Sequence, residues 1–288
     1  MPDLSFVCDL IPRILPFECL ELRFMQLAFL GLILLAPMAA MMGVQVVNFR
    51  MAFFADAISH TAFAGVAIGL ILGLSPYCTM PIFAVAVGLL IVAMQRRSML
   101  SSDTIIGVCL SAIVAFGLAV VSRAPSVQRD MLRFLYGDIL TIGEADVVFL
   151  SLLFVLLTAF QAWGYNRLLY TGLDPALAET HRVRVAFYQY SYAALLSLVV
   201  IFSVWWVGVL LVTGLLIVPA AAARNFARSA GSMFWWALII SFTSAVAGFL
   251  ISAQEWARTA TGATIVLIAF VWFAASLAAG AIRRQTGR

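Results

Sequence analysis

The chain contains no lysine, and all of its 17 basic residues are arginine. A phosphate-binding loop of the form G-x-x-x-x-G-K-[ST] needs a lysine to reach the nucleotide phosphates, so this chain does not bind ATP in that way. Charge of either sign is scarce: 10% of residues are charged and 64% hydrophobic, with a mean hydropathy of +1.08. Such a composition excludes a soluble globular domain. The only 2 histidines, His60 and His181, stand far apart in the sequence, so H-E-x-x-H is absent, and no comparable set for an intramembrane metalloenzyme is found. Cys8, Cys19, Cys78 and Cys109 show no C-x-x-C spacing and border or enter apolar runs, where a thiol packs as a small hydrophobe. A net charge of +4 and a pI near 9.1 are what the inward loops of a membrane protein demand, and they imply no nucleic-acid partner.

What remains is a succession of long apolar runs. The bilayer interior obliges every backbone amide to pair within a helix or a closed barrel, and runs of roughly 20 apolar residues choose helices. Hydropathy and loop charge place spans near Phe24–Val46, Ala52–Leu74, Cys78–Met94, Thr104–Ser122, Ala145–Tyr165, Phe187–Trp205, Val207–Ala223, Met233–Ser252 and Thr261–Ile282. The expected fold is therefore an all-α polytopic membrane protein of about eight or nine transmembrane helices, residues 1–288 forming a single transmembrane domain. No cleaved signal peptide is expected, because Asp3, Asp9, Glu18 and Glu21 occupy a start that lacks a cationic segment and a small-residue cleavage site. With the carboxyl end inside, Arg50, Arg96, Arg97, Arg167, Arg182, Arg184, Arg224, Arg228, Arg283, Arg284 and Arg288 fall on inside loops. Only Arg13, Arg23, Arg123, Arg129, Arg133 and Arg258 fall outside. The positive-inside rule then puts the amino end outside and the carboxyl end in the cytoplasm.

Against this background the stretch FFADAISHTAF, Phe53 to Phe63, carries an aspartate and a histidine four residues apart. Asp56 and His60 share one helix face, with Cβ atoms about 5–6 Å apart. A carboxylate in the membrane costs about 2.5–3.5 kcal/mol on insertion scales and therefore faces a partner or a wet cavity. Carboxylate oxygen with imidazole nitrogen suits Zn²⁺, Mn²⁺ or Fe²⁺ and leaves positions open for a passing ion. An interfacial ion-pair cluster with Arg50, His60 hydrogen-bonded beside it, fits the spacing equally well.

Five stretches taken in order resemble the membrane permease of zinc and manganese ABC importers: FFADAISHTAFAGVAIGLILG (Phe53–Gly73), FLYGDIL (Phe134–Leu140), LDPALAE (Leu173–Glu179), VGVLLVTGLLIVPAAAAR (Val207–Arg224) and TATGATIVL (Thr259–Leu267). A fainter likeness reaches the vitamin B12 and iron-siderophore permeases. The resemblance implies a type II ABC importer permease fold, with a helix break deep in the membrane at Asp56–His60. Discontinuous helices of that kind place ligands at depth in transporters. It also implies that Asp56 and His60 hold metal on its way through. Family members often carry Leu-Gly-Asp-Ala-Leu-Ser-His where this chain has Leu-like Phe54, then Ala55-Asp56-Ala57-Ile58-Ser59-His60, so both ligands are kept.

The longest polar stretch of the second half, Asn166 to Phe187, resembles the cytoplasmic coupling loop that docks on the ATPase subunit. Asp174-Pro175 reads as a helix start, aspartate capping and proline in the first turn, and Ala178 and Glu179 lie in the same element. The family's Leu-Gly-Val-like turn is replaced by Thr180-His181-Arg182-Val183, and His181 is read as a loop or interface residue. Pro219, followed by a run of alanines, is read as a packing device. Asp138, with Glu144 and Asp146 near it, is expected outside as a helix cap or an electrostatic lure for cations. Glu18 and Glu21 are open between the same roles. The partners implied are a cytoplasmic ATP-binding subunit, an extracytoplasmic metal-binding protein and a second copy of the chain in a homodimer. No permanently bound cofactor is expected, the metal being cargo, and affinity order favours zinc over manganese. The location implied is the plasma (inner) membrane, and the chain itself is not expected to be an enzyme. The rival reading is a stand-alone secondary carrier or channel. It calls for further intramembrane charges, of which the central parts of the spans hold almost none.

Overall fold

A computed structural model of the chain describes residues 12, 17–122, 142–254, 257 and 259–285. Among the described residues regular structure is helical: a 3₁₀ turn Glu18–Glu21, then α1 (Arg23–Asn48), α2 (Phe54–Ile71), α3 (Pro76–Arg97), α4 (Ser102–Val121), α5 (Glu144–Leu173), α6 (Pro175–Thr180), α7 (Val185–Val207), α8 (Val209–Phe226), α9 (Ala230–Ser252) and α10 (Thr261–Gln285). Eight of these are long and apolar enough to cross a membrane: α1, α3, α4, α5, α7, α8, α9 and α10. The remaining long helix is α2, which carries Asp56 and His60. Each span expected from sequence thus corresponds to one helix.

Breaks between helices have local causes. Gly208 ends α7 with φ +85°, a conformation that glycine adopts without steric cost, and α8 begins at the next residue. Arg50 ends the turn after α1 with φ +56°, while the Met51 amide donates back to the Val46 carbonyl at 3.0 Å. That pattern closes a helix end and re-aims the chain into α2. The Ser101 hydroxyl accepts from the Thr104 amide at the start of α4, and Ser229 and Ser232 cap α9 reciprocally.

The chain forms two compact units. The first takes the described residues of Met1–Val44, Asp138–Gln161 and Gly214–Arg288. Within it the backbones approach closely at glycines: Gly43 of α1 faces the Leu216 carbonyl and the Ala220 methyl of α8, and Gly248 of α9 faces the backbone of Ile265 on α10. Ala220, Ala222 and Ala223 are fully buried, so the alanine run after Pro219 serves close packing. Ser241 donates to the Ala36 carbonyl beside Pro37, and Gln161 donates to the Met41 carbonyl. At the other end Arg23 pairs with Glu144, and Asp146 accepts from the Gly143 amide at 3.0 Å. Asp146 is therefore a cap; Asp138 lies outside the described residues. Gly43→Leu is expected to abolish accumulation of the folded chain, since its side chain would collide with a carbonyl that cannot retreat. Overpacking of this kind costs about 1–3 kcal/mol or more, and size-exclusion profiles at matched expression check it.

The second unit takes the described residues of Gln45–Gly137 and Ala162–Thr213. Here α2 is the central helix, packed by α3, α4 and α7, while α3 and α6 also lie against α7. Small residues again set the spacing. A side chain on Gly65 would meet the Met80 backbone, and one on Gly88 would meet the Ser197 hydroxyl. Thr79 of α3 donates to the Gly65 carbonyl of α2 at 2.9 Å. Three faces of α2 are consequently fixed, which determines what its remaining face can present.

Candidate functional site

That remaining face carries Phe53, Asp56, His60 and Phe63, none of them buried, whereas Phe54, Ala55, Ala57, Ile58 and Ser59 are buried. Asp56 lies in the first turn of α2. The two side chains remain 36% and 28% exposed, and Asp56 Oδ1 stands 3.9 Å from His60 Nε2. This is too long for a hydrogen bond. A transition metal held by both groups at about 2.0–2.2 Å would draw those atoms to roughly 3–3.5 Å of each other, which takes only small side-chain rotations. The nearby hydroxyls are satisfied within the helix: Ser59 donates to the Ala55 carbonyl and Thr61 to the Ile58 carbonyl. The open face therefore offers one carboxylate and one imidazole, and no group of three potential metal ligands occurs among the described residues.

The helix break expected at Asp56–His60 lies just before the pair instead. It occupies the turn between α1 and α2, and both ligand candidates sit on regular helix. The reason is local, since Arg50 takes the left-handed conformation and Met51 tucks into the core at 5% exposure. Arg50 makes no ion pair with Asp56 among the described residues, which leaves the interfacial-cluster reading without its cation.

The polar loop forms the short helix α6. Asp174 Oδ1 accepts from the Ala176 and Leu177 amides at 3.0 and 3.1 Å, with Pro175 at the first helical position. Arg182, φ +58°, turns the chain after it, and the Val183 amide donates to the Ala178 carbonyl at 3.1 Å. Ala178 is buried, Glu179 is exposed, and Tyr170, Leu173 and Leu177 expose apolar surface. His181 caps the helix and stacks on Tyr170 with ring centroids 6.3 Å apart.

Two features here were not legible in the sequence. Arg167 of α5 donates to the Tyr188 hydroxyl of α7 at 2.6 Å, and its guanidinium lies over the rings of Trp163 and Tyr188 at 5.2 and 5.9 Å. The clamp joins the two helices that flank α6. Trp163 and Arg167, four residues apart on one helix, were the available signal. The second feature is a cleft of about 290 Å³ that brings the α1–α2 turn (Phe49, Met51) together with Arg96 of α3, Glu179 of α6 and Tyr192 of α7. The Phe49 ring packs tilted against Tyr192, centroids 5.1 Å apart. The turn that delivers Asp56 and the helix read as the coupling element thus share one wall.

The family model of the ABC 3 transport family matches residues 21–280. The chain belongs to this family. It is 32% identical over 250 residues to the high-affinity zinc uptake system membrane protein ZnuB of Haemophilus influenzae, covering 87% of this chain and 95% of that one. It is 31% identical over 258 residues to the manganese import system permease protein ScaB of Streptococcus parasanguinis, covering 88% and 89%. A solved structure of PsaBC from Streptococcus pneumoniae in complex with Fab superposes with a TM-score of 0.75 at 29% identity, over 94% of this chain and 95% of that one. The helices described above are therefore those of a multi-pass ABC importer permease.

Proposed function

We propose that this chain is the membrane permease of an ATP-driven importer of a divalent transition metal, zinc before manganese, and that Asp56 and His60 hold the ion in transit. The observation that carries the reading is the open face of α2, where one carboxylate and one imidazole stand 3.9 Å apart on an otherwise tightly packed helix. Two ligands per chain suit a two-fold axis. A homodimer would bring together two oxygens and two nitrogens, the number that tetrahedral zinc takes.

In this reading ATP is hydrolysed by two copies of a separate cytoplasmic ATP-binding subunit, and an extracytoplasmic metal-binding protein delivers the cargo. The chain itself performs no hydrolysis. Closure of the ATPase pair pushes α6 through Tyr170, Leu173 and Leu177. The Arg167 clamp makes α5 and α7 move with it, and the shared cleft passes the displacement to Met51 and so to the start of α2. Transition between outward and inward access then follows as a shift of packed helices. The chain sits in the plasma (inner) membrane with its amino end outside and its carboxyl end in the cytoplasm. Cysteines introduced at Ala176 or Arg184 are expected to react with an impermeant reagent only from the cytoplasmic side, and cysteines at Gln128–Arg133 only from outside. The reverse pattern would overturn both the orientation and the role of α6.

A further inference from the structure

We infer that the groove between α3 and α4 is a binding site for an anionic phospholipid, its acyl chain lying along the groove and its phosphate on Arg97. The groove encloses about 320 Å³ within the second unit, walled by Leu90, Ala93 and Met94 of α3 and by Ile105 and Val108 of α4. Leu90, Ala93, Met94 and Arg97 follow one another at helical spacing, so the apolar stripe leads straight to a cation at the helix end. Arg97 is exposed, and no acid among the described residues pairs with it. Arg96 differs, because it donates to Gln189 at 2.7 Å and faces the other cleft.

The turn that follows supplies an independent observation. Met99 is wholly exposed and Leu100 is 61% exposed, between Arg97 and the cap of α4 at Ser101. Apolar side chains displayed beside an unpaired cation suit a headgroup boundary, where the methylenes enter lipid and the guanidinium stays at the phosphates. Neutral lipid would satisfy the apolar wall and leave Arg97 unanswered. Basic pockets between spanning helices on the cytoplasmic side select anionic headgroups for this reason.

The full chain is reconstituted in vesicles of phosphatidylethanolamine with a minority of phosphatidylglycerol, extracted into detergent, and its retained lipids are counted by native mass spectrometry. Wild type is expected to retain phosphatidylglycerol in preference. Arg97→Gln should lower that retention about five-fold, the effect of one surface cation on an anionic headgroup. Arg97→Lys should restore most of it, and Arg228→Gln, an exposed arginine elsewhere, should change nothing. Ala93→Phe, which fills the groove and keeps the charge, should lower retention as Arg97→Gln does. Equal retention of both lipids, or retention indifferent to Arg97, overturns the site. So does displacement of the lipid by inorganic phosphate, which would make Arg97 a simple anion contact. Cross-linking of Met94→Cys between two chains with no lipid retained would make the groove an interface between copies, and equally defeats the proposal.

Discussion

Vesicles containing the complete complex with Asp56→Ala or His60→Ala in this chain are expected to take up no metal above the background of empty vesicles. If the pair holds the ion as proposed, either change leaves a single ligand per chain, and loss even of groups that merely support a ligand costs about 10–100-fold in metal affinity. Folding is not the cause, because Asp56 and His60 lie on the face of α2 that α3, α4 and α7 leave open. Replacing a polar side chain by alanine does not oppose insertion of an apolar helix, so the variants should reach the membrane in normal amounts. Conservative changes sharpen the result. His60→Cys keeps a zinc ligand and should retain zinc uptake better than manganese uptake, while His60→Asp replaces nitrogen by oxygen and should tilt the ratio towards manganese. Radiotracer uptake at matched amounts of chain in the membrane decides it. Normal transport by both alanine variants would remove Asp56 and His60 from the pathway.

The ease of finding this pair in the sequence, and the difficulty of finding what surrounds it, have physical causes. A carboxylate and an imidazole stand out in a chain that is 64% hydrophobic because the bilayer penalises each polar residue individually. Spans are legible for the same reason, and the expected boundary at Trp205–Val207 falls within a residue or two of the break that Gly208 makes. Hydropathy fails where a helix outlasts the membrane. The span expected to end at Tyr165 continues as α5 to Leu173, since Arg167 is accommodated between Trp163 and Tyr188 and so does not terminate it. The start of α2 is two residues later than expected, at Phe54, because a non-glycine residue, Arg50, adopts the left-handed turn. Nothing in its chemistry announces that, since a left-handed arginine is uncommon and is imposed by the packing around it. The cleft and the Arg167 clamp depend on residues far apart in the chain, and periodicity within one element carries no information about them. Capping was legible, however: Asp174 and Pro175 start α6 as their local chemistry demands.

Ala178→Pro is expected to uncouple the transporter while leaving its spanning helices folded. Ala178 is buried in α6, and its amide donates to the Asp174 carbonyl at 3.0 Å. Proline deletes that donor and crowds the preceding turn, at a cost of about 3 kcal/mol. A six-residue helix has no reserve to absorb it. The apolar surface at Tyr170, Leu173 and Leu177 would lose its fixed shape, and the ATPase stroke would have nothing rigid to push. Leu177→Asp provides a second route to the same end, since Leu177 is 52% exposed and its replacement keeps α6 intact while placing a charge on the surface proposed to dock. Both variants should lose transport and the stimulation of ATP hydrolysis by metal-loaded binding protein, yet metal should still protect a cysteine at Phe63, beside the pair, from alkylation. Loss of that protection together with transport would mean that the site itself had collapsed and that α6 has no separate role. The stronger control is the chain alone in vesicles with an ion gradient and no ATPase. The absence of lysine rules out a phosphate loop in this chain, so concentrative uptake under those conditions would have to be driven by the gradient. It would replace the ATP-driven permease by a secondary carrier.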